Sequence, residues 1–485
     1  MGSTMVNNMT QGSLAKQLLR FAVPLILSQL LQSLYSTVDM VIVGQYVGAS
    51  GDMPDIYRNF MQLYNASGQQ AHDEGIIIEL NGLLDEYCPN YMEVINGDEE
   101  LYRACVDDSG KMWAFWATSV EYIAQEGLAL RKDWLDALNM ETPTDMAGIE
   151  AYLEAIKSEY GCVSPYFLTQ NYGGDSSPLC HYFNVGGINE RSANDQFFQK
   201  DGKVHCSYIE DGYRDYLSLL NRWYNAGYVS SDFVSTPEDM RGGENVTKIG
   251  TNEAGMYMIM AQTFPDYKAA AVDESFELSA LGNLNVNGDD TTHLTSVSRR
   301  HGRNCWAITT SCENPDVAAK FFDFWYTREG FELVNYGIKD YTFTETDGKY
   351  TFTEVVTGNT EGLDLSVTQL ANYFCLYNEV CGYFDETRLF QFYGSEVTDA
   401  LAVWTDSRDD AYMLPSSISL TAEESAKYNE IMQDVRTYVM ENIGQFITGG
   451  RSLDQWDDYV AELMDMGVQS CIDIYEAAYA RYLAR

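Results

Sequence analysis

The feature that most constrains this chain is a change of character near residue 50. Residues 21–48 (FAVPLILSQLLQSLYSTVDMVIVGQYVG) form a long apolar run preceded by Lys16 and Arg20. Asp39 is the sole acid in the first 50 residues, although the chain of 485 carries 72 Asp and Glu. A run of that length matches the hydrocarbon thickness of a bilayer. Gln29, Gln32, Asp39 and Gln45 interrupt it. A carboxylate at mid-span costs about 2.5–3.5 kcal/mol on insertion scales, so a lone span is marginal. A helix is expected over about 14–45. Residues 52–485 must fold in water and are long enough for two lobes rather than one core.

The charge balance limits the partners. Lys and Arg number 30 against the 72 acids, a formal net charge of −42. Such a surface repels phosphate backbones, so nucleic acid is excluded as a partner. A content of 45% hydrophobic and 21% charged residues is that of a globular chain. The ten cysteines are scattered with no CxxC pair, which predicts mostly free, partly buried thiols with at most one or two disulfides rather than a disulfide framework. The motifs HExxH, GxSxG and GxxxxGK[ST] are absent, and the acidic turn at 287–290 lacks a twelve-residue calcium pattern. No cofactor and no metal are expected.

Beyond residue 52, short apolar runs alternate with helical patterns, an α/β reading. Strands are expected at 75–80, on both sides of the turn at 106–113, and at 304–309. Thr144 is expected to cap a helix that ends at Gly161, with Ile149, Leu153 and Ile156 on its buried face. Asn314 is expected to cap a second helix with Pro315 at its first position and Val317, Phe321, Phe324 and Trp325 on one face. Thr421 with Glu424, and Ser452 with Gln455, fit capping boxes. The helical spacing makes Trp325, Trp456 and Tyr459 core residues.

Two resemblances follow from ordered motifs. Residues 10–49, with FAVP, LQSLYSTVD and VGQYVGA in order, resemble the start of multidrug and toxic compound extrusion (MATE) transporters. Asp39 stands at the acidic position that takes part in cation coupling in that family. The remaining helices are absent, and one helix cannot provide alternating access. The segment is read either as a membrane anchor with residues 52 onward outside the cell, or as a fusion without function of its own. The fusion reading is preferred, because both sides of the join look truncated. Residues 52–485 carry DMPDI (52–56), GKMWAF (110–115), GLALRKDWLD (127–136), SPYF (164–167), GTNEAGM (250–256), ENPDVAAKFFDFW (313–325) and YEAAYARY (475–482). In this order they resemble family-1 extracellular solute-binding proteins, the sugar-type lipoproteins of bacterial ABC importers. Against that pattern, a first strand and first helix are missing before residue 52.

The resemblance implies an α/β, two-lobed periplasmic-binding-protein-like fold with an interlobe cleft, N-terminally truncated and preceded by one hydrophobic helix. The expected divisions are 1–50 for that helix, 52–120 and 299–350 for the first lobe, 121–298 for the second, and 351–485 for closing helices mainly of the second. Crossovers are expected near 117–126 and 295–305. The implied function is extracytoplasmic delivery of an oligosaccharide or other polar solute to ABC permease subunits at the cell surface, without catalysis, with membrane contact through 14–48. The alternatives are a carbohydrate-active enzyme and a relic of a MATE transporter. By position on the motifs, the ligand contacts expected are Tyr57, Arg58, Asn59, Trp116, Tyr122, Tyr166, Tyr172, Arg299, Arg303, Trp306 and Trp404. Aromatic faces there would stack on sugar rings, with charged and amide groups as hydrogen-bond partners.

Overall fold

The computed structural model describes residues 53–485 except 65–66, 121–122, 170–177, 187–195, 237–242, 285, 287–291, 295–300 and 378. The helix expected over 14–45 and the join at residue 50 lie outside the described residues.

Eight strands build two four-stranded sheets: β1 (Ile56–Arg58), β2 (Phe115–Ser119), β3 (Glu126–Arg131), β4 (Ser164–Tyr166), β5 (Ala254–Met260), β6 (Leu278–Ala280), β7 (His301–Ile308) and β8 (Tyr383–Phe384). The first sheet has the order β1-β7-β2-β8, with β7 antiparallel to both neighbours and β8 parallel to β2. The second has the order β4-β5-β3-β6, with β5 parallel to β4 and antiparallel to β3. Two hairpins, one within 197–206 and one within 343–352, form separate two-stranded sheets. Each four-stranded sheet centres one lobe. The chain crosses between Ser119 and Glu126, at the expected place, and returns between Ala280 and His301. It crosses a third time after Phe384, because helix Ser395–Asp406 packs against the second sheet. The closing segment 351–485 is therefore divided: Tyr383 and Phe384 complete the first-lobe sheet beside Thr118 and Ser119.

Local chemistry explains the helices that matter here, which are α1 (Met146–Tyr160), α2 (Asp211–Ala226), α3 (Pro315–Phe324), α4 (Ala422–Thr448), α5 (Trp456–Asp465) and α6 (Val468–Leu483). Asp145, not Thr144, caps α1, its carboxylate accepting from the Gly148 N–H at 2.7 Å. Gly161 stops α1 at φ 64°, and Ile149, Leu153 and Ile156 are buried as the spacing predicts. In α3 Asn314 makes no side-chain cap, and the buried face is turned from the one expected. Ala318, Ala319 and Phe322 face inward while Val317 and Phe321 are exposed. Asp323 selects this rotation by accepting from Asn90 Nδ2 at 2.6 Å and the Tyr91 N–H at 2.8 Å. Thr421 and Glu424 form the expected capping box on α4. Ser452 instead caps a short 3-10 turn ahead of α5. The run 75–80 makes a single bridge, Ile77 to Thr309, and 106–113 is a turn with no strands. No disulfide joins the cysteines, and all but Cys312 are buried. No helix among the described residues is long and apolar enough to cross a membrane.

One contact ties the second sheet to the helix that arrives after the third crossing. A Cβ on Gly127 would lie 2.4 Å from the Trp404 indole nitrogen, which donates to the Leu128 carbonyl at 3.1 Å. Gly127→Ala should therefore destabilise the protein by about 1–3 kcal/mol through overpacking, read as a lower denaturant midpoint. An unchanged midpoint would contradict this account of the contact.

Candidate functional site

The turn at 106–113 builds one wall of a groove. The Asp107 carboxylate organises it, one oxygen accepting from the Ser109 N–H (2.8 Å), the Ser109 hydroxyl (2.7 Å) and the Lys111 N–H (3.0 Å). The other oxygen accepts from the Trp113 indole at 2.8 Å. Burial pushes this carboxyl up, but the four hydrogen bonds outweigh it and hold the group below its ordinary value. Trp113 is thereby held flat against the helix Gly68–Asp73, where a Cβ on Gly68 would come within 2.2 Å of its ring. Three residues on, Trp116 sits in β2 opposite Cys305. Two tyrosines buried in the first-lobe core fix its backbone: the Trp116 N–H donates to Tyr91 Oη at 3.3 Å and Tyr326 Oη donates to the Trp116 carbonyl at 2.5 Å. The indole itself is half-buried and lines the groove.

The opposite wall comes from the second lobe, from Ser416 through the first turns of α4. The groove has a volume of about 1240 Å³. Met61 and Tyr64 add apolar and aromatic surface, and Gln69, Gln70, Ser425 and Asn429 add amides and hydroxyls. The walls are joined at one side by Asp108, which accepts from Arg481 (2.8 Å) and Arg485 (2.7 and 2.9 Å) at the end of α6. Arg481 also pairs with Glu424 at 2.6 Å, inside the capping box that starts α4. An open, aromatic and hydroxyl-bearing space between two lobes is the geometry of a small-molecule cleft closed by domain motion. Among the described residues no group of three or more His, Cys, Asp or Glu is placed to hold a metal ion.

This geometry can be set beside known proteins. No protein-family model matches the chain. The fructooligosaccharide ABC transporter substrate-binding protein FusA of Streptococcus pneumoniae is 22% identical over 468 residues, covering 90% of this chain and 81% of that protein. The polygalacturonan/rhamnogalacturonan-binding protein YtcQ of Bacillus subtilis is 24% identical over 317 residues, covering 63% of this chain and 59% of that protein. The crystal structure of an extracellular solute-binding protein from Bifidobacterium longum subsp. infantis superposes with a TM-score of 0.71 at 17% identity, covering 91% of this chain and 89% of the other. The fold is that of a two-lobed solute-binding protein.

Within this solute-binding fold the expected contact residues separate. Trp116 lines the groove. Tyr57 is half-buried in the small cluster of Phe60, Trp113 and Ala307 beside the groove wall. Arg58 is exposed, lies 5.6 Å over the Trp306 ring and stands 3.9 Å from Glu379. Asn59 takes a left-handed conformation (φ 58°), and its N–H donates to the Cys305 carbonyl at 2.6 Å. Its side-chain oxygen is buried with no hydrogen-bond partner among the described residues. Three expectations are corrected, because their side chains are core. Tyr166 packs edge-on to Trp223 at 5.4 Å, Trp306 packs against Phe322 at 6.5 Å, and Trp404 fills the space above Gly127. Their exposures of 3%, 6% and 1% leave no face for a ligand. Tyr122, Tyr172 and Arg299 lie outside the described residues, as does the side chain of Arg303. Sequence reasoning missed Tyr64, Trp113 and the whole 416–429 wall. The hydroxyl-rich PSSISLT run at 415–421 was the available signal for the latter.

The depressed Asp107 carboxyl gives a pH dependence with a definite sign. A group whose folded value lies below its unfolded one stabilises the fold above the unfolded value and loses that contribution as pH falls through the folded one. The turn should therefore weaken as pH falls below about 4. Asp107→Asn should be less stable at neutral pH and lose part of the acid-side decline, measured as denaturant midpoints between pH 3 and 7. An acid-side decline identical to that of the unaltered chain would contradict this role for Asp107.

Proposed function

We propose that the chain is an extracytoplasmic solute-binding protein that captures an oligosaccharide between its lobes and delivers it to the permease subunits of an ABC importer. The observation that carries this reading is the interlobe groove, with Trp116 and Tyr64 on one wall and serine, threonine and asparagine groups on the other. Flat apolar rings suit sugar faces, and side chains that both donate and accept suit sugar hydroxyls. FusA and YtcQ, both saccharide-binding proteins, support the same ligand class. Delivery places the working site outside the cytoplasm, where the apolar segment 14–48 would hold the chain at the membrane. If it does, the native protein will sediment with membranes and be released by detergent, and a fully soluble chain would remove the anchor.

A carbohydrate-active enzyme is the competing reading. Glycoside hydrolysis uses two carboxyl groups, one of which must hold a proton to give to the leaving group. The carboxylates among the described groove residues are Asp107 and Asp108. The first accepts four hydrogen bonds and the second is shared by two guanidiniums. Both are committed as acceptors, which favours binding without turnover.

The test is calorimetric titration of the full chain with plant, microbial and host oligosaccharides, with each sample examined for hydrolysis afterwards. Binding without cleavage is expected, and cleavage products would overturn the reading. Trp116→Ala should weaken binding about tenfold, roughly 1.4 kcal/mol, by more than its modest loss of stability accounts for, because the half-buried ring both lines the groove and packs on the first-lobe core. Unchanged affinity would remove Trp116 from the site.

A further inference from the structure

We infer that the groove selects neutral oligosaccharides and turns away those carrying uronic acids. This rests on the proposed function and deepens it. The charged residues among the described groove lining are Asp107, Asp108 and Arg485; Arg481 also pairs with Asp108, and Glu424 with Arg481, so three acids stand against two guanidiniums in this cluster. Recognition of a sugar carboxylate calls for a cation, best supplied as the two-pronged edge of a guanidinium. Arg485 is that cation by position, and it is fully spent. Its Nε and Nη2 grip Asp108 at 2.9 and 2.7 Å, Nη1 donates to the carbonyls of Arg103 and Ser417 at 3.0 Å each, and Nη2 also donates to the Ser419 hydroxyl at 2.6 Å. Those five bonds use every N–H of the group. The side chain is 2% exposed, so no edge of it remains for a ligand.

The rest of the wall points the same way. Ser416, Ser425 and Asn429 present groups that donate and accept, which match hydroxyls and carry no charge to answer a carboxylate. A uronate placed in this open groove adds a negative charge beside the two aspartates, within a chain of net charge −42. Among the described residues, a neutral sugar of the same shape meets hydrogen-bonding groups and the rings of Trp116 and Tyr64.

The experiment titrates the full chain calorimetrically with two sets of probes. The neutral set comprises fructo-, galacto-, gluco- and xylo-oligosaccharides and methyl-esterified oligogalacturonides. The acidic set comprises the unesterified oligogalacturonides and alginate oligomers. The best neutral ligand is expected to bind at least tenfold tighter than any acidic one, with the gap narrowing as NaCl is raised, since salt screens the repulsion. Asp108→Asn removes one negative charge from beside the Arg485 fork and should shift the ratio of acidic to neutral affinity towards the acidic sugars by tenfold or more. The circular dichroism spectrum and denaturant midpoint of the same variant serve as the reference for folding, because Asp108 also joins the walls of the groove. An acidic sugar bound within tenfold of the best neutral one overturns the inference and leaves the proposed function standing. A gap insensitive to salt also overturns it. Failure of every saccharide to bind overturns both.

Discussion

Two arginines from the end of the last helix converge on one carboxylate of the other lobe, and the groove depends on that convergence. Asp108 stands on the first-lobe turn, while Arg481 and Arg485 follow from α6, which packs into the second-lobe core. Charge-assisted bonds of this kind are stronger than neutral ones and fix direction as well as distance. Arg485 is almost wholly buried there, so removing Asp108 would strand a desolvated cation. The same cluster reaches the start of α4 through Glu424, whose other task is to cap that helix. One set of charges therefore positions both walls of the groove and uses up its cation.

The aromatic wall depends on the first-lobe core in a different way. Phe115 and Trp116 are neighbours in β2, and the alternation of a strand sends them to opposite faces. Phe115 is buried and stacks on Phe322 at 4.5 Å, while Trp116 turns to the groove. Tyr91 and Tyr326, held edge to face at 4.9 Å, clamp the Trp116 backbone from within the core. The position of the half-buried ring is thus set by buried packing, which makes the groove rigid at this point. On the neighbouring turn, Asp107 achieves the same for Trp113 by hydrogen bonding.

Much of this architecture was legible in the sequence, and the failures have physical causes. The order of short motifs gave two lobes and the first crossover, and Gly161 and the Thr421–Glu424 box marked helix ends by chemistry confined to a few residues. The third crossover left no such mark, because β8 is only two residues long. Among the aromatics, motif position alone did not reveal which face of a strand or helix each ring takes. Trp116 reaches the groove, whereas Trp306, on the strand paired with β2, points into the core. Trp404 was expected to contact the ligand, yet it fills the gap that only a glycine at 127 leaves open. The 416–429 wall lies far along the chain from Trp116, and its serines carry no signal until the third crossover brings them across.

The central claim is that one ligand is gripped by both walls at once. Hydrogen–deuterium exchange of the full chain, with and without saturating oligosaccharide, tests this most directly. Slower exchange is expected in 67–70 and 104–116 together with 416–429, because closure on a sugar orders both sides of the groove. Protection confined to one wall, or found only at a distant surface such as the end of α4, would contradict it.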